Sequence, residues 1–269
     1  MRYVLAAALV LVLGMPPAPA LPTGDRAFEE VRRIRSDRAR QAPAADTAHV
    51  YAIDNRAIAK HDKRTGALVD SWEGDDDGPI IHLNSGIVLD GRLYAAHSNY
   101  PGLPMVSSIE VFDVETMEHV GTHSFGIHEG SATWVDRHDG SWWVAFANYG
   151  GRGGQPGRDP SWTTVERFDD EWRVTGGWIF PDEVVATFEN MSNSGGAWGP
   201  DGHLYVTGHD APMLFEMRLP SAGSVLDLVQ AIPVKAEGQG IAWDPVEAGT
   251  LYTILRSGRE IVVSRMVER

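Results

Sequence analysis

The chain has 269 residues, with 37 acidic and 23 basic side chains, a formal net charge of −14 and no cysteine. This acidity argues against nucleic acid or an anionic lipid surface as the main partner. The lack of cysteine excludes a disulfide framework, thiolate chemistry and a lipid anchor attached through cysteine.

The first twenty residues have the pattern of a secretory signal peptide. Arg2 supplies a positive charge, residues 4–13 are apolar, and Ala18 and Ala20 are the small residues of a cleavage site. The apolar run is too short to cross a membrane. We therefore expect cleavage near Ala20 and a mature protein that is periplasmic or secreted.

Residues 21–46 are predicted to form a helix followed by a linker. Between Thr23 and Arg40, apolar side chains recur at helical spacing, at Ala27, Phe28, Val31 and Ile34. Thr23 can cap the first turn of such a helix. We expect a leader helix whose narrow apolar face packs on the rest of the chain, and an Arg-rich arm that binds a partner is the alternative.

A short phrase recurs four times along the remaining chain: an apolar run, a turn containing Gly, and a second run with an aromatic residue. Each copy is typical of a tight β-hairpin. The copies align on Leu89, Trp134, Trp198 and Trp243, at intervals of 45, 64 and 45 residues. A repeat near 45 residues with about four strands per unit indicates the blades of a β-propeller.

The sequence thus predicts an all-β fold: a single β-propeller over residues 47–269, most simply with five blades, preceded by the short helix. The first and last blades contain fewer clear strands than the others. We therefore expect strands from the two termini to close the ring together, which leaves no free sheet edge. The long interval contains a Gly/Pro-rich insertion at residues 150–160, which is either a lid beside the channel or a disordered loop.

One mouth of the channel is expected to collect polar side chains from several blades. Positions that are equivalent in the aligned repeats form a column. The start of an innermost strand and the end of its hairpin partner lie at the same edge of a sheet, so the two columns at these positions should meet there. The candidate metal ligands in these columns are His97, His128, Glu129, Asn193, His209 and Asp210. The candidates for proton transfer are His82 and Glu237, and those for substrate binding are Asn84, Asn99, Asn148 and Arg256.

This combination of side chains allows three kinds of site. Imidazoles suit zinc, iron or manganese, and carboxylate and amide oxygens suit calcium, so a divalent cation is one option. The same groups without a metal can form an acid–base set. They can also merely solvate a water-filled channel. We favour a functional site, because a buried polar cluster without a purpose costs stability.

Two families resemble parts of this sequence. Glu237-Gly-Gln-Gly-Ile-Ala-Trp243 is similar to the Glu-Gly-Trp-Gly-Leu repeats of plant-type glutaminyl cyclotransferases, which are five-bladed propellers. The segment from Asn193 to Val206 resembles a segment of the gluconolactonases and senescence marker proteins, which have six blades. In the second family Glu, Asn and Asp residues bind a divalent cation that polarises a lactone carbonyl and activates water. That resemblance implies Glu129 and Asn193 as ligands, with Asp210 in place of the Asp expected at Gly208.

The leading hypothesis is an exported, metal-assisted enzyme that acts on a small polar substrate at the mouth, by lactone-type hydrolysis or a related isomerisation or elimination. A non-catalytic ligand-binding or scaffold propeller is the first alternative. Cyclotransferase-like acyl transfer without metal is the second. The expected partner is a small molecule rather than nucleic acid or a membrane, and the sequence does not identify a protein partner.

Overall fold

The computed structural model describes residues 21–128 and 130–269, and it confirms the predicted five-bladed β-propeller. The described residues contain 20 β-strands, arranged as five antiparallel four-stranded sheets. Residues 1–20, the predicted signal peptide, lie outside the described part of the chain. The described helices are a 3₁₀ turn at Pro160–Trp162 and a one-turn helix α1 at Asp182–Val185. Neither helix is long and apolar enough to cross a membrane.

The strands follow one another through the ring in chain order. Strand β1 spans Arg26–Arg35. Blade 1 consists of β2 (Ala42–Ala45), β3 (His49–Asp54), β4 (Ala57–Asp62) and β5 (Leu68–Glu73). Blade 2 consists of β6 (Leu83–Leu89), β7 (Arg92–Ser98), β8 (Val106–Asp113) and β9 (His119–Ile127). Blade 3 consists of β10 (Ser131–His138), β11 (Ser141–Ala147), β12 (Thr164–Phe168) and β13 (Val174–Ile179). Blade 4 consists of β14 (Gly195–Trp198), β15 (Leu204–Thr207), β16 (Met213–Arg218) and β17 (Asp227–Pro233). Blade 5 contains β18 (Ile241–Trp243), β19 (Thr250–Leu255) and β20 (Glu260–Glu268), and β1 completes it.

The innermost strands β2, β6, β10, β14 and β18 contact one another in turn and close a ring around the axis. They approach so closely that side chains are excluded at some positions. A Cβ atom on Gly240 would collide with the Cβ of Ala42 in the next blade, and one on Gly195 would collide with the carbonyl of Gln239. Glycine is required at these two positions because the backbones of neighbouring blades touch there.

Aromatic side chains fill the space between the blades. Trp134, from the repeated phrase of blade 3, is fully buried. Trp143 of the same blade meets Trp198 of blade 4 at a centroid distance of 4.8 Å in an edge-on arrangement. Such contacts bury large apolar areas between sheets, which explains why each repeat carries an aromatic residue.

The predicted N-terminal helix is wrong, because its residues form β1. This strand pairs antiparallel with β20 from Arg26 opposite Glu268 to Arg35 opposite Glu260, with one irregularity between Glu30 and Arg32. The irregularity lets the apolar residues of a strand fall at helix-like spacing. Pairing with the free edge of β20 satisfies a whole row of backbone groups, and this tertiary interaction overrides the local helical pattern.

Strands from the two ends of the described chain close the ring together, as expected. Blade 5 joins one strand from the N-terminus to three from the C-terminus, so β1 and β20 share a sheet. Blade 1 is complete by itself, because residues expected to be linker form its innermost strand, β2.

Candidate active site

A cavity of about 380 Å³ opens at one end of the propeller axis, and every blade contributes to its lining. We call it the mouth cavity; its lining includes Asn55, His82, Tyr149, His209 and Arg256, one from each blade. A volume of this order suits a small molecule. The structure therefore brings together side chains that are far apart in the sequence.

His82 is the predicted proton-transfer residue that lies in the mouth cavity. It follows the blade 1–blade 2 connection just before β6, and its ring lies 5.0 Å from that of Tyr100. Burial, the neighbouring imidazole of His97 and the guanidinium of Arg256 lower the pKa of His82 to about 4. The imidazole is therefore neutral at physiological pH.

His209 and Arg256, from blades 4 and 5, form a second polar group in the lining of the mouth cavity. An Arg256 Nη1 atom lies 3.5 Å from Nε2 of His209, and Nδ1 of His209 lies 2.7 Å from a carboxylate oxygen of the exposed Asp210. The backbone carbonyl of His209 accepts a hydrogen bond from the Gln239 amide at 2.8 Å. These contacts hold the imidazole between a carboxylate and a guanidinium.

The Gly/Pro-rich insertion lies beside the mouth cavity and supplies Arg152 to its lining. Its backbone passes against the ring of Tyr100, since a Cβ on Gly153 would collide with that ring. Tyr149, just before the insertion, is buried and hydrogen-bonded to Ser131, and burial raises its pKa. The sequence interpretation missed Arg152, Tyr100 and Tyr149, although the position of the insertion next to Asn148 pointed to this side of the mouth.

The described lining of the mouth cavity is cationic. Its positive charge comes from the guanidinium groups of Arg152 and Arg256, and the lining contains no Asp or Glu among the described residues. The imidazoles of His82 and His209 also line it. Glu129, a predicted metal ligand, lies outside the described residues. The lining thus carries positive charge in a chain whose net charge is −14.

Of two further predicted residues, Asn84 lies in the lining of the mouth cavity and Glu237 lies outside it. Asn84 lines the mouth cavity, and its Nδ2 atom donates to the carbonyl of Ala132 in blade 3 at 3.1 Å. Glu237 is not in the lining; its carboxylate accepts the backbone N–H of Ser257 at 2.7 Å, and hydrogen bonding to Ser257 lowers its pKa. Glu237 thus fixes the loop that carries Arg256.

His97 and Asn99 do not point into the mouth cavity. Nε2 of His97 accepts the backbone N–H of Ile81 at 3.1 Å, and its Nδ1 lies 2.9 Å from Oγ of Ser108. Burial lowers the pKa of His97. Asn99 accepts the N–H of Val106 and donates to the carbonyl of Pro104, so it shapes the loop between β7 and β8.

Asn193, Asn148 and His128 are also engaged away from the mouth cavity. Asn193 is fully buried: its Oδ1 accepts the indole N–H of Trp134 at 2.6 Å, and its Nδ2 donates to two backbone carbonyls. Asn148 donates to the carbonyl of Trp162 at 3.1 Å. His128 stacks on Phe146 with a centroid distance of 3.7 Å, on the blade 3 side. Of the predicted metal ligands that the structure describes, only His209 lines the mouth cavity.

The described residues contain one group of side chains with the spacing of a possible metal site, and it lies elsewhere. Single ligand atoms of Asp201, His203 and Glu216 in blade 4 lie within 4.8 Å of one another. The guanidinium of Arg26 from β1 already donates to Asp201, to Tyr205 and, at 2.8 Å, to Glu216. A protein cation therefore occupies the place that a metal ion would take.

No protein-family model matches this chain, and no curated protein matches its sequence. Several solved structures share its fold. A luciferin-regenerating enzyme aligns with 88% of this chain and 95% of its own, at 11% identity and a TM-score of 0.53. The PQQ-bound aldose sugar dehydrogenase of Streptomyces coelicolor aligns over 92% of this chain and 100% of its own, at 12% identity and a TM-score of 0.51. Hydrazine synthase of Kuenenia stuttgartiensis aligns over 83% and 82%, at 13% identity and a TM-score of 0.50. What this chain shares with these proteins is the propeller fold.

Proposed function

We propose that this protein is an exported enzyme that acts on a small anionic molecule in the mouth cavity, by lactone-type hydrolysis or a related proton-transfer reaction. The observation that carries the proposal is the pairing of two guanidinium groups with two imidazoles in one cavity of about 380 Å³. Export follows from the signal-peptide pattern of residues 1–20.

The two arginines account for binding. A guanidinium forms charge-assisted and often bidentate hydrogen bonds to a carboxylate or phosphate, and such bonds strengthen when water is partly excluded. Arg256 enters from blade 5 and Arg152 from the insertion of blade 3, so an anionic group can be held between two blades. The amide of Asn84 and the ring of Tyr100 add a hydrogen-bonding and an apolar contact in the same cavity.

The imidazoles account for chemistry. His82 is neutral at physiological pH because of its lowered pKa, so it can accept a proton from a water molecule that attacks a carbonyl carbon. A bond then forms between the water oxygen and that carbon, and the lactone C–O bond breaks. The proton held by His82 ends on the leaving alkoxide oxygen. Arg256 lies where it can stabilise negative charge on the carbonyl oxygen.

The divalent cation implied by the gluconolactonase-like resemblance does not fit the described residues at the mouth. The amide oxygen of Asn193 already accepts the indole of Trp134, and the imidazole of His209 faces the guanidinium of Arg256. We therefore derive no step through a metal ion. A metal-assisted reaction remains a prediction from the sequence, which metal analysis of the purified protein tests.

The experiment compares lactones that carry a carboxylate with their neutral amide counterparts, using proton release as the signal of turnover. We expect the carboxylates to be preferred, Arg256→Gln to remove most of that preference, and His82→Ala to abolish turnover while binding persists. Arg218→Gln is the matched control, because Arg218 pairs with Asp227 on the outer strands of blade 4.

Equal use of neutral and anionic compounds, or an unchanged preference in Arg256→Gln, would contradict the proposal. Binding of carboxylates without turnover of any compound would instead support the non-catalytic alternative. A stoichiometric cation in the wild-type protein that is lost in His209→Ala would support the metal-assisted version.

A further inference from the structure

A second cavity, of about 460 Å³, lies between blades 1 and 2, outside the propeller axis. We call it the blade 1–2 groove; its walls include Trp72 and Ile80 from the end of blade 1 and Ser108, Glu110 and Thr122 from β8 and β9. Nothing in the proposed reaction uses these side chains. The groove is large enough for a small organic molecule.

The charge of the groove is opposite to that of the mouth cavity. Its described lining contains the carboxylates of Glu73, Asp75 and Glu110, the imidazoles of His97 and His119, and no Lys or Arg. Glu73 is exposed and pairs with Arg38. Glu110 is different, because its side chain is buried on the floor of the groove.

A network of hydrogen bonds fixes the carboxylate of Glu110. One of its oxygens accepts the hydroxyl of Ser108 at 2.6 Å; the other accepts the hydroxyl of Thr122 at 2.6 Å and lies 2.8 Å from Nε2 of His119. Hydrogen bonds of this kind orient a buried carboxylate. The groove therefore contains a positioned negative charge beneath apolar walls.

The hydrogen bonds of His97 determine the direction in which the Ser108 hydroxyl donates. A backbone N–H can only donate, so Nε2 of His97 is the acceptor for Ile81, and the neutral ring carries its proton on Nδ1. That proton points at the oxygen of Ser108. His97 therefore cannot accept the Ser108 proton through Nδ1, and the hydroxyl donates to Glu110 instead.

We propose that the blade 1–2 groove is a second binding site, which takes a small organic cation with a primary ammonium group and an apolar body. The ammonium group pairs with Glu110 and has the hydroxyl oxygens of Ser108 and Thr122 as further acceptors. The apolar body lies along Trp72 and Ile80. A desolvated carboxylate beside an aromatic face is the arrangement that recognises such a cation.

Phenethylamine is the probe, measured by isothermal titration calorimetry, with phenethyl alcohol as its neutral counterpart and phenylacetate as its anionic one. We expect the amine to bind more tightly than the alcohol, and phenylacetate not to bind in the groove. Glu110→Gln keeps the shape of the side chain and is expected to weaken amine binding about tenfold or more while the weak binding of the alcohol is unchanged.

Two further variants keep the test decisive. Ser124→Phe places a bulky ring on the exposed rim of the groove and should block both the amine and the alcohol without touching Glu110. Arg256→Gln alters the mouth cavity only and should leave amine binding unchanged, so failure here is distinct from failure of the proposed function. The proposal is overturned if the amine binds no more tightly than the alcohol, if Ser124→Phe leaves amine binding intact, or if a folded Glu110→Gln protein binds the amine as well as wild type.

Discussion

His82 and Asn193 show how differently two polar side chains at the start of the innermost strands are used. Both come from columns of the repeat that were expected to converge on the mouth. His82 is half-buried and faces the mouth cavity, whereas Asn193 is fully buried and its amide links Trp134 of blade 3 to backbone of blade 4. A repeat column predicts the sheet edge at which a residue lies, but it does not predict the side to which the side chain points.

The lowered pKa of His82 gives a prediction about pH. Burial and nearby positive charge disfavour the imidazolium form, so the ring is expected to gain its proton only as the pH falls through about 4, rather than near 6.5. Removing a positive charge in Arg256→Gln should move this titration to higher pH. NMR titration of the His82 ring measures both values, with His82→Ala used for assignment.

The pH dependence of catalysis follows from the same argument. If neutral His82 is the base, kcat/KM should rise as the pH increases through about 4 and stay flat between pH 5 and 7. An acidic limb near pH 6.5 that does not shift in Arg256→Gln would assign the base to another residue.

The hydrogen bonds of Asn193 predict a structural role for this side chain. Asn193→Ala leaves the indole N–H of Trp134 and the carbonyls of Gly195 and Thr207 without their partner, so we expect a loss of about 1–3 kcal/mol in the free energy of unfolding. Urea denaturation measures the loss, and Asn190→Ala, at an exposed position, is the control. A drop in bound metal with unchanged stability would instead support the ligand role expected from the sequence.

At the scale of elements, β1 is the part of the fold that the sequence interpretation missed. Its apolar residues fit helical spacing because an irregularity between Glu30 and Arg32 shifts the alternation of the strand. The hairpins of the other blades were predictable, because each is a local unit with its turn and aromatic residue close together in sequence. The partner of β1 lies at the other end of the chain, so no pattern within a short stretch of sequence predicts their pairing.

The limited reach of local sequence patterns also explains why only some of the predicted site residues line the mouth cavity. His82, Asn84, His209 and Arg256 all line the mouth cavity, since the edge of each sheet follows from the hairpin register. His97 faces the blade 1–2 groove instead. Neighbouring residues of a strand point to opposite faces, and the pairing of β6 with β7 shifts register between Leu83 and Gly86. The repeat alone therefore does not predict the face on which His97 lies.

Arg26 joins β1 to blade 4, and this contact gives a prediction about stability. Arg26→Gln leaves Glu216, whose side chain is 1% exposed, without its guanidinium partner, so we expect a loss of about 1–3 kcal/mol in the free energy of unfolding. Arg35→Gln on the same strand is the matched control; its side chain is 77% exposed, and its loss should stay below about 0.5 kcal/mol. Equal losses in the two variants, measured by urea denaturation, would contradict this assignment.

The candidate metal group can be tested in the same variant. With Arg26 replaced, the ligand atoms of Asp201, His203 and Glu216 no longer face a guanidinium and can accept another cation. Zinc should then raise the unfolding temperature of Arg26→Gln and leave that of the wild type unchanged. A comparable rise in the wild type would show that the guanidinium does not compete with the ion.

At the scale of the whole molecule, the ring depends on one sheet built from both ends of the chain. Removal of residues 21–35 should expose the edge of β20, whose Ile261, Val262 and Val263 are buried in the intact protein. We expect the truncated protein to self-associate, which size-exclusion chromatography detects. A peptide of residues 21–40 added in trans should reverse this self-association. A truncated protein that elutes as the intact protein does, with unchanged unfolding, would contradict the closing role of β1.

The pairing of β1 with β20 also determines how long β1 must wait for its partner strand during synthesis. The residues that leave the ribosome early must wait for about 225 further residues before their hydrogen-bonding partner exists. At about 5–20 residues per second, that delay is roughly ten to forty-five seconds. During this interval β1 has no strand to pair with, so the ring cannot be closed. Closure is possible only after β20 has been synthesised.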